Sequence, residues 1–289
     1  MDGELLRVAT ANAASGRGAG GRPDLDGWAR DAARLGVDVL GVQEVDHLLP
    51  RAGGVDQTAV VAAACAGDGP PWTSRFAAAV LGTPGPARAF RTATGAPHEA
   101  GEPAYGVALL SRHPVTAWSE LRMRPSRAAL PLPDPAGGLQ WAPDEQRVAL
   151  AGVVAAPGGP VTVVVTHLSF APHRAAGQLR ELRRWARDLP RPLLLLGDLN
   201  LPGGVPAALT GWTPLARAAT FPAAAPRVQL DHVLLDAGGT GAGGTGATGE
   251  HGPTGEQGDH PGRTHVLGGS DHRALTATLR RDDARGQPR

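Results

Sequence analysis

Leu193–Asn200, LLLLGDLN, sets four consecutive leucines before a glycine and two polar side chains spaced one residue apart. Four leucines in a row read as a strand buried on both faces, in a sheet covered by helices or by a second sheet. Gly197 breaks the run. The Asp-x-Asn that follows puts Asp198 and Asn200 on the same side of the chain, at the rim of a core. That placement suits a turn, and it equally suits a metal or phosphate site.

Working outward from this strand, the chain alternates apolar strand-like runs with segments of helical period. Leu5–Thr10 reads as a first strand. In DLDGWARDAARLG, residues Leu25, Trp28, Ala29, Ala32 and Leu35 fall at helical spacing, and Gly36 is placed as a C-cap. VDVLGVQEVD reads as a strand delivering Glu44, VDQTAVVAAACAG as a helix, and WTSRFAAAVLG and AYGVALLSRHPV as strands, the last bounded by Pro114. QRVALAGVVAAPGGPVTVVVTHLSF, residues 146–170, reads as a hairpin turned by Pro-Gly-Gly-Pro, and His173–Leu189 as a helix with Leu179, Leu182, Ala186 and Leu189 on one stripe. RVQLDHVLLD and SDHRALTATLR are strand-like. Residues 82–104 and 124–144 are Pro-rich and read as surface loops. The Gly/Thr-rich segment 237–269 has almost nothing to bury and reads as a mobile insertion, and 282–289 as a disordered tail. The expectation is one α/β domain over residues 1–281.

The 289-residue length is enough for a sizeable core, and 42% hydrophobic with 19% charged residues is ordinary for a globular protein. A formal net charge of +1 supplies no bulk attraction to nucleic acid or anionic membranes. All 28 basic residues are arginine, which excludes a lysine-bearing phosphate loop and Schiff-base chemistry. The single cysteine, Cys65, excludes an internal disulfide, reads as a small core residue on a helix face, and fits a reducing cytoplasm. No apolar run approaches the roughly 20 residues of a membrane span, and the N-terminus lacks the basic and apolar regions of a signal peptide.

The polar residues that close the apolar runs are Asn12, Glu44, His167, Asp198 with Asn200, Asp231 with His232, and Asp271 with His272. Each alone has an ordinary explanation as a turn former, cap or rim residue. Together they supply carboxylate and amide oxygens suited to Mg²⁺ or Mn²⁺, and histidines suited to proton transfer and phosphoryl contacts near neutral pH. Paired cysteines and an H-x-H-x-D-H cluster are missing, which disfavours a zinc hydrolase of the metallo-lactamase sort. D-x-H with a later G-N-H is missing too, which disfavours a calcineurin-type phosphatase.

The ordered series ATANAASG, GVQEVD, YGVALLSRHPV, VVVTHLSF, LLLLGDLN, QLDHVLL and SDHRAL resembles the endonuclease/exonuclease/phosphatase superfamily from about Arg7 to Leu279. The resemblance implies a single-domain α/β fold of the deoxyribonuclease-I type, a two-sheet sandwich flanked by helices in four layers. It implies Glu44 as the principal Mg²⁺ ligand with Asn12 and Asp271 close to the metal. Asp198, helped by Asn200, would orient or deprotonate the attacking water. His272 would bind the scissile phosphate with Asp231 fixing its ring, and His167 would act beside it as general acid. Asn12 and Arg147 would also contact phosphate. Glu99 and Glu102 compete as the carboxylate supporting His167, and Tyr105 reads as packing at the start of its strand. The activity implied is Mg²⁺-dependent phosphodiester cleavage, nuclease-like, with nucleic acid among the candidate substrates. Alternatives are a phosphomonoesterase acting on an inositol phosphate or lipid headgroup, or a silent member that binds a phosphorylated ligand. The variable loops 82–104 and 124–144 would choose the substrate, and no surface stripe calls for a protein partner.

Overall fold

The computed structural model describes residues 4–18, 22–84, 90–93, 101–124, 129–133, 137–238, 262–280 and 283. Its strands are β1 (Glu4–Asn12), β2 (Val39–His47), β3 (Thr73–Gly82), β4 (Phe90–Thr92), β5 (Ala104–Ser111), β6 (Val115–Arg122), β7 (Ala129–Pro133) and β8 (Leu139–Pro143). They continue with β9 (Val148–Ala156), β10 (Gly159–His167), β11 (Leu193–Asp198), β12 (Thr213–Pro214), β13 (Asp231–Asp236), β14 (Arg263–Val266) and β15 (Arg273–Arg280). Four α-helices lie among them: α1 (Leu25–Arg34), α2 (Gln57–Ala66), α3 (Pro172–Trp185) and α4 (Val205–Thr210).

The strands assemble into a seven-stranded sheet, ordered β14-β15-β1-β2-β5-β3-β4, and a six-stranded sheet, ordered β12-β13-β11-β10-β9-β6, with β7 and β8 as a separate hairpin. The leucine run shows why the layers stack. Leu194 and Leu196 enter the core between the sheets beside Val163, Val165, Val8 and Val39. Leu193 and Leu195 face the other way, onto Leu179 and Leu182 of α3. With a period of two, four leucines thus serve two cores. On the far side, Trp28, Ala29 and Ala32 of α1 and Val61 of α2 cover Ala9, Leu40 and Val42. The result is helix, sheet, sheet, helix. Asp24 and Asp56 cap α1 and α2 by accepting backbone N–H bonds, and Gly36 takes the left-handed conformation just past α1. Cys65 is half-buried against the same outer core.

Four segments differ from expectation. β6 escaped the sequence reading because it is an edge strand, paired to β9 alone and half-exposed, so its hydrophobic alternation is weak. Within 82–104, Phe90–Thr92 forms β4 on the edge of β3, and within 124–144 the chain makes the β7–β8 hairpin. Arg263–Val266, assigned to the mobile insertion, instead pairs with β15 at the sheet edge, where a short strand needs no apolar pattern of its own. Residues 239–261 of that insertion lie outside the described residues. So does the 282–289 tail apart from Asp283, whose carboxylate accepts the Arg280 amide at 3.1 Å. Among the described residues no helix is long and apolar enough to cross a membrane.

Candidate active site

Two parallel strand pairs, one in each sheet, end at the same edge of the sandwich: β1 beside β2, and β10 beside β11. Parallel neighbours bring their C-terminal residues side by side. His167 is therefore the register partner of Asp198, and Asp198 is that of Asp231 on antiparallel β13. These three continue the inward rows of Val165, Leu196 and Val233 one pleat further, past the end of the apolar core. Asn12 extends the inward row of β1 in the same way, with its main-chain carbonyl accepting the Ser270 hydroxyl at 2.7 Å.

Asp198 lies at the centre and is buried. Its Oδ2 stands 3.3 Å from Asn12 Nδ2 and 3.6 Å from Nε2 of both His167 and His272, while Oδ1 accepts the Asn200 amide at 3.1 Å. Asn200 adopts φ 50° in this Asx turn, and its Nδ2 lies 3.0 Å from the Leu168 carbonyl and 3.3 Å from His167 Nε2. Gly197, just before Asp198, cannot carry a side chain: a Cβ there would overlap the carbonyl oxygen of Thr166. The signal read from sequence as a break in the run is thus a close approach of two backbones.

His272, in the turn entering β15, places Nδ1 2.9 Å from Asp231 Oδ2 and tilts against Phe221, ring centroids 4.9 Å apart. Burial alone would lower its proton affinity. The hydrogen bond to Asp231 and the charge of Asp198 override burial and raise its pKa to about 9, with Asp271 adding to the effect. Asp198 is pushed up in turn, to about 7, by burial and the nearby Asp231. His167 goes the opposite way. Burial, with the charges of Arg147 and His272, holds it well below the ordinary imidazole value. The two histidines are thus driven in opposite directions, His272 toward the cation and His167 toward the neutral imidazole.

Glu44 reaches the site through a defect. The β2–β5 register slips between Val42 and Val45, and inside this bulge Glu44 takes φ 55°, a conformation rare for a residue with a Cβ. Its Oε1 accepts Asn12 Nδ2 at 3.0 Å, while among the described residues Oε2 has no partner and the side chain lines the cavity. Asn12 thus clamps two carboxylates with its amide nitrogen. Its Oδ1 accepts the Ala14 amide at 2.9 Å.

These residues border a cavity of about 290 Å³, also lined by Ser15, Arg17, Arg51, Tyr105, Glu145, Arg147 and Phe170. Of the predicted set, Glu44, Arg147, His167, Asp198, Asn200 and His272 line it directly. Asn12 and Asp231 support it from behind. Asp271 is exposed at the rim and outside the lining. His232 is a core histidine, its Nε2 2.9 Å from the Leu201 carbonyl. Glu102 pairs with Arg91 rather than His167, and Glu99 lies outside the described residues. Glu145 was missed, although it stands two residues before the arginine that was singled out. Tyr105 packs with Leu49 and Val80 as expected, yet also opens onto the cavity. Arg51 carried no sequence signal. It forks onto buried Asp46 at 2.7 and 2.8 Å and lies over the Tyr105 ring.

The donors present suit a hard divalent cation: Glu44 offers an unpartnered carboxylate oxygen, and the nearby anions are all carboxylates. Asp198, Asp231 and His272 lie close enough together to hold an ion. The hydrogen bond between Asp231 and His272 makes that pair better suited to orienting an imidazolium than to sharing a metal.

Residues 9–272 match the profile of the Endonuclease/Exonuclease/phosphatase family. Among solved structures, an endonuclease/exonuclease/phosphatase from Beutenbergia cavernae superposes with a TM-score of 0.58 at 22% identity, over 96% of this chain and 72% of that one. Sphingomyelinase C from Streptomyces griseocarneus gives 0.53 at 19% identity, over 95% and 99% of the two chains. The mannosyl-6-phosphatase of Bacteroides thetaiotaomicron gives 0.50 at 14% identity, over 95% and 99%. No curated protein matches the sequence.

Proposed function

The chain belongs to the endonuclease/exonuclease/phosphatase family, and from that premise we propose that it is a divalent-metal-dependent hydrolase of phosphate esters, with phosphodiester cleavage the leading form. The supporting observation is Asp198, buried with its Oδ2 within 3.6 Å of Asn12, His167 and His272 at the edge where two parallel strand pairs end. Glu44 would hold Mg²⁺ or Mn²⁺, which when bound offsets charge on the phosphoryl oxygens. Asp198, held by Asn12 and the Asn200 amide, orients the attacking water and takes its proton. His272 keeps a proton on Nε2 and presents it to the phosphoryl group, with Asp231 fixing the ring through Nδ1. Neutral His167 positions its neighbours through Asn200. Arg147 brings a guanidinium to the cavity wall. A phosphomonoester would use the same groups.

The test gives purified protein a bis-nitrophenyl phosphate, plasmid DNA, inositol phosphates and sphingomyelin, with and without EDTA. Turnover of at least one, abolished by EDTA and restored by Mg²⁺ or Mn²⁺, is expected. Metal-independent turnover, or none, would overturn the reading.

A further inference from the structure

One wall of the cavity carries three polar side chains whose hydrogen-bonding capacity is unused. Arg147 is only 4% exposed, yet among the described residues its side chain makes no hydrogen bond. Its pairings with Asp144 and Glu145 stretch to 3.6 and 3.9 Å, and its Nε is buried without a partner. Tyr105, 6% exposed, has no hydrogen-bond partner for its hydroxyl among the described residues, and its only polar contact is Arg51 over the ring. Among the described residues the Glu145 side chain accepts no hydrogen bond and meets only the 3.9 Å pairing with Arg147. The three line the same cavity, with Glu145 and Arg147 two residues apart on the approach to β9. Arg147 Nε is a buried donor without a partner, which folded proteins rarely leave, and all three side chains line the cavity, so this wall is shaped to meet something that enters it.

What enters must complement three different groups. The Arg147 fork suits a phosphoryl oxygen. Glu145 does not, because a carboxylate repels phosphoryl oxygens; it needs a group that donates. Tyr105 can donate or accept. The segment carrying Glu145 is pinned, with the Ser169 hydroxyl donating to Asp144 at 2.9 Å and Gln146 donating to the Met123 carbonyl at 3.1 Å. Its carboxylate is therefore presented rather than loose.

Building on the hydrolase reading, we propose that Tyr105 and Glu145 form a subsite for free hydroxyl groups on the alcohol half of the ester, so that the substrate is a phosphate ester bearing a hydroxyl beside the esterified carbon. Phosphates of sugars and cyclitols have this chemistry, and so does the 2′-hydroxyl of a ribonucleotide.

Matched pairs test this: myo-inositol 1-phosphate against cyclohexyl phosphate, and a ribodinucleotide against its deoxy counterpart, each with Mg²⁺. The hydroxylated member of one pair should be favoured in kcat/KM by roughly 10- to 100-fold, the range for a hydrogen bond to a charged group, and that pair identifies the source. Glu145→Gln and Tyr105→Phe should each shrink the preference toward one, mainly through KM, with circular dichroism and Tm confirming the fold. If Glu145→Gln fails to fold, Tyr105→Phe carries the test. No preference in either pair, or one that survives the variants, would overturn the subsite. Calorimetric binding of the same four ligands to the Asp198→Asn protein separates this from failure of the hydrolase reading. Tighter binding of a hydroxylated member supports the subsite even without turnover, and equal or absent binding overturns it.

Discussion

The two walls of the cavity are built on opposite plans. On one, Asn12, Asp198, Asn200, Asp231 and His272 engage one another, each side chain held by at least one hydrogen bond within the protein. On the other, Tyr105 and Arg147 are buried and Glu145 half-buried, and among the described residues none of their side chains makes a hydrogen bond. The first wall is organised before anything binds, as groups that act on developing charge must be. The second is completed by what binds. In the proposed reading, reaction falls to residues of β1, β11 and β13 and selection to β5 and the approach to β9, strands of the two sheets that meet at one edge of the sandwich.

The sharpest way to break that division is Asp198→Asn. Loss of the group placed to take the water's proton should lower kcat by roughly 10³- to 10⁴-fold with little change in KM. Full-rate turnover would remove Asp198 from the chemistry. Next is Arg147→Ala, on the open wall, where a loss of about 10²-fold in kcat/KM, carried mostly by KM, is expected if the guanidinium meets the substrate's phosphoryl group. A loss confined to kcat would move Arg147 to the reacting wall.

Smaller effects sharpen the comparison. With Asp198 raised to about 7 and required deprotonated, and His272 raised to about 9 and required protonated, kcat should rise through the first pKa and fall through the second. Asp231→Asn removes the main support of the His272 proton. It should lower kcat by about 10-fold and move the alkaline limb toward neutral pH, read from the pH–rate profile; an unmoved limb would separate it from His272. Leu195→Ala touches neither wall. By opening a void beneath α3 it should cost about 2–5 kcal/mol of stability in denaturant unfolding, leaving turnover of the folded fraction intact.

The reacting wall was legible in the sequence because each of its residues lies at or beside a strand end, where the switch between apolar and polar is sharp and the order along the chain is informative. Asp198 and Asn200 stood out for that reason, as did His167. The open wall was not. Glu145 lies on the approach to β9 in a segment whose composition says only that it is a loop, and Tyr105 begins a strand buried throughout, where one aromatic looks like packing. Asn12 was found, but the direction of its amide depends on Ala14, which no spacing rule reveals. The lowered proton affinity of His167 depends on burial and on two cations, Arg147 and His272, arriving from other strands, which its own motif does not reveal. The two-sheet layering followed from the family resemblance, whereas the half-exposed edge strands β6 and β14 were not read at all.

Because His167, Asp198 and Asp231 occupy adjacent rungs of β10, β11 and β13, their separations are set by interstrand pairing rather than by loops. Such a catalytic row has no private way to melt. On heating, its loss should track the collapse of the whole six-stranded ladder, so that the inactivation curve and the far-ultraviolet signal fall together instead of in sequence.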